Sequence, residues 1–216
     1  MATTPTDRLR NSSYGQQGAP SVVDRFGVWL STRRMRHAVP DFAGKRVGDF
    51  GCGYNATFAR TVLDRAQKVV LIDVALAGDL KDHAKVEEIE GSLPESLEEL
   101  ADASLDVIVL NSVLEHLWEP ERTLAELHRV AAPGGLVLIN VPSWRGKRWL
   151  ELSAFRLGTS PAEEMDDHKA YYDPRDLWPL LVRAGFRPSD IRCFRHKFGL
   201  NTFAECRRAG AVEEEG

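Results

Sequence analysis

Two carboxylates and two glycines mark the part of this chain most able to do chemistry. The run Val47-Gly-Asp49-Phe-Gly51-Cys52-Gly53-Tyr-Asn55 carries an apolar strand to an acid and then into a glycine-bearing corner. Twenty-two residues beyond Gly51, a second apolar run, Val69-Val-Leu-Ile-Asp73, ends on another acid. Parallel strands ending this way leave a crevice at their carboxyl ends that suits a nucleoside. Glycine at the corner permits φ > 0 and lets a ligand meet bare backbone. Asp73, with Val74 beside it, can accept from both ribose hydroxyls, although that alone does not separate one nucleoside cofactor from another. The alternative for Asp73 is a solvated strand-end acid. Asp49 repels a diphosphate and suits an ammonium group; its alternative is a carboxylate capping backbone N–H groups. The dinucleotide pattern G-x-G-x-x-G needs a third glycine at position 56, where this chain has alanine.

The corner resembles motif I of the class I S-adenosylmethionine (SAM) methyltransferases, usually Asp-x-Gly-x-Gly-x-Gly, with Asn55 in place of the last glycine. Asn tolerates left-handed backbone best after Gly, so the turn is expected to survive with Asn55 there. The resemblance implies SAM as cofactor, with Asp49 holding the methionine ammonium directly or through water and Asp73 holding the ribose. It places Gly51, Cys52, Gly53 and Asn55 around the cofactor, Cys52 being a small residue suited to close packing. Relatives often carry Asp where Ser92 stands, accepting from the adenine amino group. Ser92 can do so more weakly, and the Leu93 N–H could reach a ring nitrogen; an ordinary loop is the alternative. Asn111 would face the methyl-donor end.

After the fourth expected strand comes Asn111-Ser-Val-Leu-Glu-His116. His116 is a candidate general base because an unperturbed imidazole titrates near neutrality; a packing histidine is the alternative. The segment is similar to that of ubiquinone-pathway O-methyltransferases, some of which bind a divalent ion through two carboxylates flanking this stretch. Ser112 replaces the first of them, so no metal is expected. His168 is the rival base. Tyr171 and Tyr172 could bound an acceptor pocket, although consecutive residues point different ways. Trp144, Arg145, Lys147, Arg148 and Trp149 follow the fifth strand, and basic residues interleaved with aromatics suit an anionic or sugar-bearing acceptor. A solvated surface loop is the alternative.

These residues need a scaffold that brings strand ends together. Strands are expected near 45–50, 68–73, 86–90, 105–110 and 135–141, and helices near 56–66, 112–117 and 121–132. That alternation predicts an α/β fold with a parallel sheet and right-handed crossovers. Leu124, Leu127 and Val130 stripe the 121–132 helix, which Pro133-Gly134-Gly135 ends. Before the sheet, an expected helix from about Val22 to Ala38 places Val23, Phe26, Leu30 and Arg34 at helical spacing. Residues 1–20 read as a flexible lead-in, and 143–172 as an irregular lid. Asp173 caps a helix that Pro179 should distort and Gly185 ends; two strands near 190–197 and 201–207 follow. The resemblance adds that the sheet is Rossmann-like and seven-stranded, with a last antiparallel strand and helices on both faces, in one domain over 21–210, leaving an acidic tail at 211–216.

Composition fits. A chain of 216 residues with 43% hydrophobic content forms one domain, and a net charge of -4 argues against a general nucleic-acid binder. No apolar run approaches a bilayer span and no apolar leader is visible, so cytoplasmic residence is expected. Cys52, Cys193 and Cys206 are too scattered for a disulfide framework or zinc cluster. The expected activity is methylation of a small-molecule or glycan acceptor, at a hydroxyl oxygen. The segment His196-Lys-Phe-Gly-Leu-Asn-Thr-Phe203 is similar to that of bacterial proteins linked to surface-polysaccharide synthesis. Two other readings stay open: a non-catalytic binding or regulatory protein of the same fold, and an NAD-linked enzyme with a degenerate fingerprint.

Overall fold

The structure, a computed structural model, describes residues 13–16, 22–152 and 168–210. Seven strands among them form one sheet: β1 Arg46–Phe50, β2 Lys68–Asp73, β3 Val86–Glu90, β4 Leu105–Asn111, β5 Ala131–Pro142, β6 Ile191–His196 and β7 Asn201–Arg207. Their order is β3-β2-β1-β4-β5-β7-β6. The first five run parallel, and β7 inserts antiparallel between β5 and β6. The order reverses at β1, which pairs with both β2 and β4, and at such a switch point the carboxyl ends part to leave a crevice.

Helices α1 Val22–Ala38, α2 Thr57–Arg60, α3 Gly78–Lys81, α4 Pro120–Val130, α5 Trp144–Leu152 and α6 Pro174–Arg183 accompany the sheet. One core packs α4 and α6, through Leu124, Leu127, Leu177 and Leu181, against Ile108, Leu110 and Ile139. The other packs Met35 of α1 and Phe58 of α2 against Val47, Leu71, Val109 and Leu138. Alternate residues of the buried parallel strands therefore serve opposite layers, which is why these strands read as continuous apolar runs.

Several boundaries differ from expectation. The 56–66 helix is only the short α2, continued by turns; the Thr61 hydroxyl back-bonds the Phe58 carbonyl at 2.7 Å, and the next amides close tighter turns. The 112–117 helix reduces to a 3-10 turn, Leu114–His116, entered through Ser112 at a left-handed φ of 56°. β5 begins already at Ala131, absorbing the Pro-Gly-Gly run. Residues 144–152 form α5 rather than irregular lid; the part of that lid spanning 153–167, with Glu163–Asp167, lies outside the described residues, as does the acidic tail. Asp173 forms a capping box with Asp176 as expected, and α6 continues through Pro179. Phe26 faces solvent rather than the core, while Ser31 and Met35 supply the buried face of α1.

Candidate functional site

The crevice is built at the ends of β1, β2 and β4. β1 delivers Asp49 into full burial, where its Oδ2 accepts the Ala59 N–H at 3.2 Å and so anchors α2. Burial pushes this carboxyl up to about 7, and the neighbouring Asp73 charge adds to the shift. Asp49 thus performs, through Oδ2, the capping role weighed as its alternative.

The corner after β1 turns through positive φ at Gly51 (64°) and Gly53 (74°). The third left-handed residue is Ala56 at 40°, not Asn55, which is exposed and accepts the Arg60 Nε–H on its carbonyl at 2.8 Å. The motif's last glycine position therefore does not carry the left-handed turn in this chain; the strain moves one residue on, to the N-cap of α2. A Cβ at Gly51 would collide with the Val113 side chain, so Gly51 is needed for close packing against the β4 loop. Cys52 is half-buried against the core and its thiol is held far above its ordinary range by burial.

Asp73 ends β2 with both oxygens engaged. Oδ2 accepts the Gly53 N–H at 2.8 Å and Oδ1 accepts the Val74 N–H at 2.8 Å. The hydroxyl of Ser13 also bonds Oδ1, sits 2.6 Å from the Ala75 carbonyl and accepts the Ala75 N–H at 3.1 Å. Beside it the Tyr14 carbonyl accepts the Tyr54 N–H at 3.0 Å. Residues 13–16 were expected in a flexible lead-in; instead they are bonded over the glycine corner. Ser13 and Tyr14 were absent from the sequence-based site, because a Ser-, Gly- and Gln-rich stretch carries no positional signal. After β3, the Ser92 hydroxyl reaches Glu95 at 3.4 Å, and Leu93 packs half-buried on the core.

β4 presents Asn111, whose Oδ1 accepts from buried Asn140 Nδ2 at 3.0 Å; Asn140 in turn lies 3.4 Å from Ser31 of α1. Asn111 is thereby oriented from two layers. Past it, the fold brings Glu115, His116 and His168 together. Buried Glu115 accepts the Lys169 and Ala170 N–H groups on its carbonyl at 2.7 and 3.3 Å, which ties the chain after the lid to the β4 loop. The two histidine rings meet edge to face at 4.7 Å, and His168 Nδ1 lies 3.0 Å from the Tyr171 hydroxyl. One donor atom from each of the three residues lies within 4.8 Å of the others, so the trio could hold a divalent ion only once the side chains close in. The sequence reading expected no metal, on the replaced carboxylate at Ser112 and the scattered cysteines, and did not weigh this trio.

Tyr171 and Tyr172 are both buried; the Tyr172 N–H donates to the Pro142 carbonyl at 3.0 Å, and burial beside Glu115 pushes its phenol up to about 12. Trp144 spans Tyr171, at 5.7 Å between rings, and Asp176, to which its indole N–H donates at 3.1 Å. Lys147 stands 5.8 Å from the Trp144 and Tyr171 ring centres, while Arg145 turns towards Gly199. A cation the sequence did not single out joins this end. Lys197 is held down to about 8 by burial, opposed by the attraction of Glu115. It opens a turn of three left-handed residues, Lys197, Phe198 and Gly199, that only the structure reveals. A hollow between α6 and β6, lined by Pro174, Trp178 and Arg192, includes none of these groups.

The arrangement has two halves: a glycine corner with two strand-end carboxylates, suited to a nucleoside bearing an amino-acid cation, and an adjoining cluster of imidazole, phenol and ammonium groups. Comparison with known proteins points the same way. Residues 25–189 match a family described as a methyltransferase domain. A probable S-adenosylmethionine-dependent methyltransferase of Mycolicibacterium smegmatis is 30% identical over 178 residues, 80% of this chain and 63% of that protein. The ubiquinone/menaquinone biosynthesis C-methyltransferase of Rubrivivax gelatinosus is 26% identical, covering 88% of this chain and 82% of that protein. Among solved structures, a SAM-dependent methyltransferase from Archaeoglobus fulgidus superposes with a TM-score of 0.61 at 16% identity, covering 87% of this chain and all of that one, a likeness of fold. The chain spans about three fifths of the length of the mycobacterial relatives it matches.

Proposed function

Because the chain belongs to the SAM-dependent methyltransferase-domain family, we propose that it moves the sulfonium methyl of SAM to a hydroxyl oxygen of a small-molecule or glycan acceptor. The observation that carries this reading is the juxtaposition of the two halves: Asp73 and the Gly51–Gly53 corner at one end of the crevice, and His116 facing His168 at the other. SAM needs no metal and no covalent intermediate, because the sulfonium is already a good leaving group. The protein's work is alignment, and holding acceptor and methyl at near-attack distance can lower the barrier by up to ~7–11 kcal/mol.

In this reading Asp73 exchanges its Ser13 contact for the ribose diol, Asp49 faces the methionine ammonium, and Ser92 and Leu93 border adenine. Asn111 aligns the methionine portion. One imidazole of the His116–His168 pair takes the acceptor proton as the C–O bond forms, and S-adenosylhomocysteine leaves. Lys197, Lys147 and Arg145 favour an anionic or phosphate-bearing acceptor, with Trp144 and Tyr171 as an apolar wall.

Relatives are named for methylation at carbon as well as oxygen, so the atom has to be read from product. Incubation with methyl-labelled SAM and a panel of phosphorylated sugars, nucleotide sugars and phenols should label a hydroxyl-bearing compound. Label at carbon would replace the oxygen assignment, and calorimetry with no heat for SAM would favour the non-catalytic alternative.

A further inference from the structure

The carboxyl rim of the sheet exposes aromatic side chains that neither core uses. On α1, Phe26 and Trp29 are 54% and 52% exposed, stack at 5.7 Å, and have Arg33 5.8 Å from the Trp29 ring. Their spacing of three and four residues puts all three on one helix stripe. Phe198, 85% exposed, stands at the tip of the β6–β7 turn, held out by the run of left-handed residues. Trp149 on α5 is 52% exposed.

These side chains lie on adjoining elements. Lys197 Nζ is 3.8 Å from where a Cβ on Gly27 would stand, which joins the turn to α1. Arg145 approaches the equivalent position on Gly199 at 3.6 Å, and Gly146 abuts the Leu200 backbone, which joins the turn to α5. The rim sits where β5 ends and β7 begins, Pro142 pairing with Asn201, beside the acceptor end of the crevice.

Charge is segregated to the same elements. Residues 25–33, 144–149 and 195–199, the parts of these elements nearest the rim, carry seven Lys and Arg and no acid; Arg34 and Arg192 lie farther back, both paired with Glu205. Exposed Trp and Phe interleaved with Arg match the headgroup level of a bilayer, where rings bury shallowly and cations meet lipid phosphates. Duplex nucleic acid would use the cations and leave the rings in water.

We propose that this rim docks peripherally on an anionic lipid bilayer, holding the mouth of the acceptor site at headgroup level. No described helix is long and apolar enough to cross a membrane, so contact is by the rim. The inference goes beyond the methyl-transfer reading, and the residues its test replaces, Trp29, Phe198, Arg33 and Arg148, hold no role in the proposed methyl transfer.

The test is sedimentation of the full chain with vesicles of phosphatidylcholine alone and of phosphatidylcholine mixed with phosphatidylglycerol. Binding is expected on the mixed vesicles and not on the neutral ones, with release at high salt. Trp29→Ala combined with Phe198→Ala should lower the partition coefficient by about tenfold, and Arg33→Glu with Arg148→Glu should do the same. Melting temperature and SAM calorimetry report whether each variant is folded and separate this result from failure of the enzymatic reading. Equal binding to both vesicle types, or binding unchanged in both folded double variants, overturns the proposal. Displacement from vesicles by stoichiometric single-stranded RNA also overturns it and assigns the rim to nucleic acid.

Discussion

The Ser13 hydroxyl bonds Oδ1 of Asp73, the carboxylate that faces the glycine corner through its bond from Gly53. A ribose diol approaching that carboxylate meets a hydroxyl already in place. With the ribose on Asp73 as proposed, the N-terminal segment competes for that carboxylate, and Ser13→Ala removes its polar contact. SAM is expected to bind about fivefold more tightly to the variant, since a net hydrogen bond contributes about 1 kcal/mol. Calorimetry checks this; weaker binding would make Ser13 part of the cofactor site.

Asp73→Ala has the opposite expected outcome. It removes the acceptor for the ribose together with the bond from Gly53, so SAM affinity should fall by about a hundredfold or more while far-UV circular dichroism stays native. Asp73→Asn, which keeps one acceptor, should fall between the two. Unchanged affinity in a folded Asp73→Ala protein would remove the ribose assignment. Gly51→Val is a poor probe of the same corner, because the new side chain strikes Val113.

The strand pattern and the carboxylate-glycine corner were legible because each depends on local chemistry: apolar runs for buried parallel strands, glycine for a sharp turn. The antiparallel seventh strand was available only through resemblance. What stayed hidden depends on contacts across the chain. Ser13 meets Asp73 over sixty residues, and Glu115 meets the backbone at Lys169 across the lid. Lys197 acquires its burial from a left-handed turn that nothing in His-Lys-Phe-Gly announces. The left-handed turn was expected at Asn55 because the motif suggests which position is strained, whereas the start of α2 puts that strain on Ala56.

Asp49 makes stability and cofactor binding compete. Burial raises its folded pKa to about 7, against ~4 for an unfolded aspartate. The folded state therefore holds the proton more tightly, and the stability this contributes is present below pH ~4 and lost as pH rises to about 7. Asp49→Asn should raise the melting temperature at pH 8, by roughly 4–16 °C for a cost of about 2–4 kcal/mol, and change it little at pH 4. The same variant should bind SAM more weakly if the carboxylate faces the ammonium. His128, depressed by burial, acts in the reverse sense, losing stability as pH falls from ~6.5 towards its folded value.

The Glu115, His116 and His168 cluster allows a metal, whereas the proposed methyl transfer uses none. Dialysis of active protein against a chelator should leave kcat unchanged. Loss of activity restored by zinc or another divalent ion would assign the cluster to metal and remove the histidine base. Metal content of the purified protein, read by mass spectrometry, checks the same point without an assay.

Lys197 is expected to act on acceptor rather than cofactor. Lys197→Met keeps the stem's length and removes the charge beside Glu115. With an anionic acceptor, KM should rise about tenfold or more while the SAM dissociation constant stays within about twofold. An equal loss with neutral and anionic acceptors would mean that the lysine supports the turn and does not read charge.

The two imidazoles can be separated by rate. His116 and His168 meet at 4.7 Å, and His168 Nδ1 lies 3.0 Å from the Tyr171 hydroxyl. That contact holds the His168 ring in orientation. Replacing the base should lower kcat at saturating SAM by about a hundredfold, within the range for general-base catalysis, with little change in SAM affinity. Replacing its neighbour should cost about tenfold or less. Tyr171→Phe discriminates further: if His168 is the base, losing the hydroxyl frees its ring and lowers kcat, whereas a His116 base is left nearly untouched. If neither histidine variant loses tenfold, no imidazole removes the proton, and the acceptor is one that arrives ionised, such as a carboxylate or thiolate.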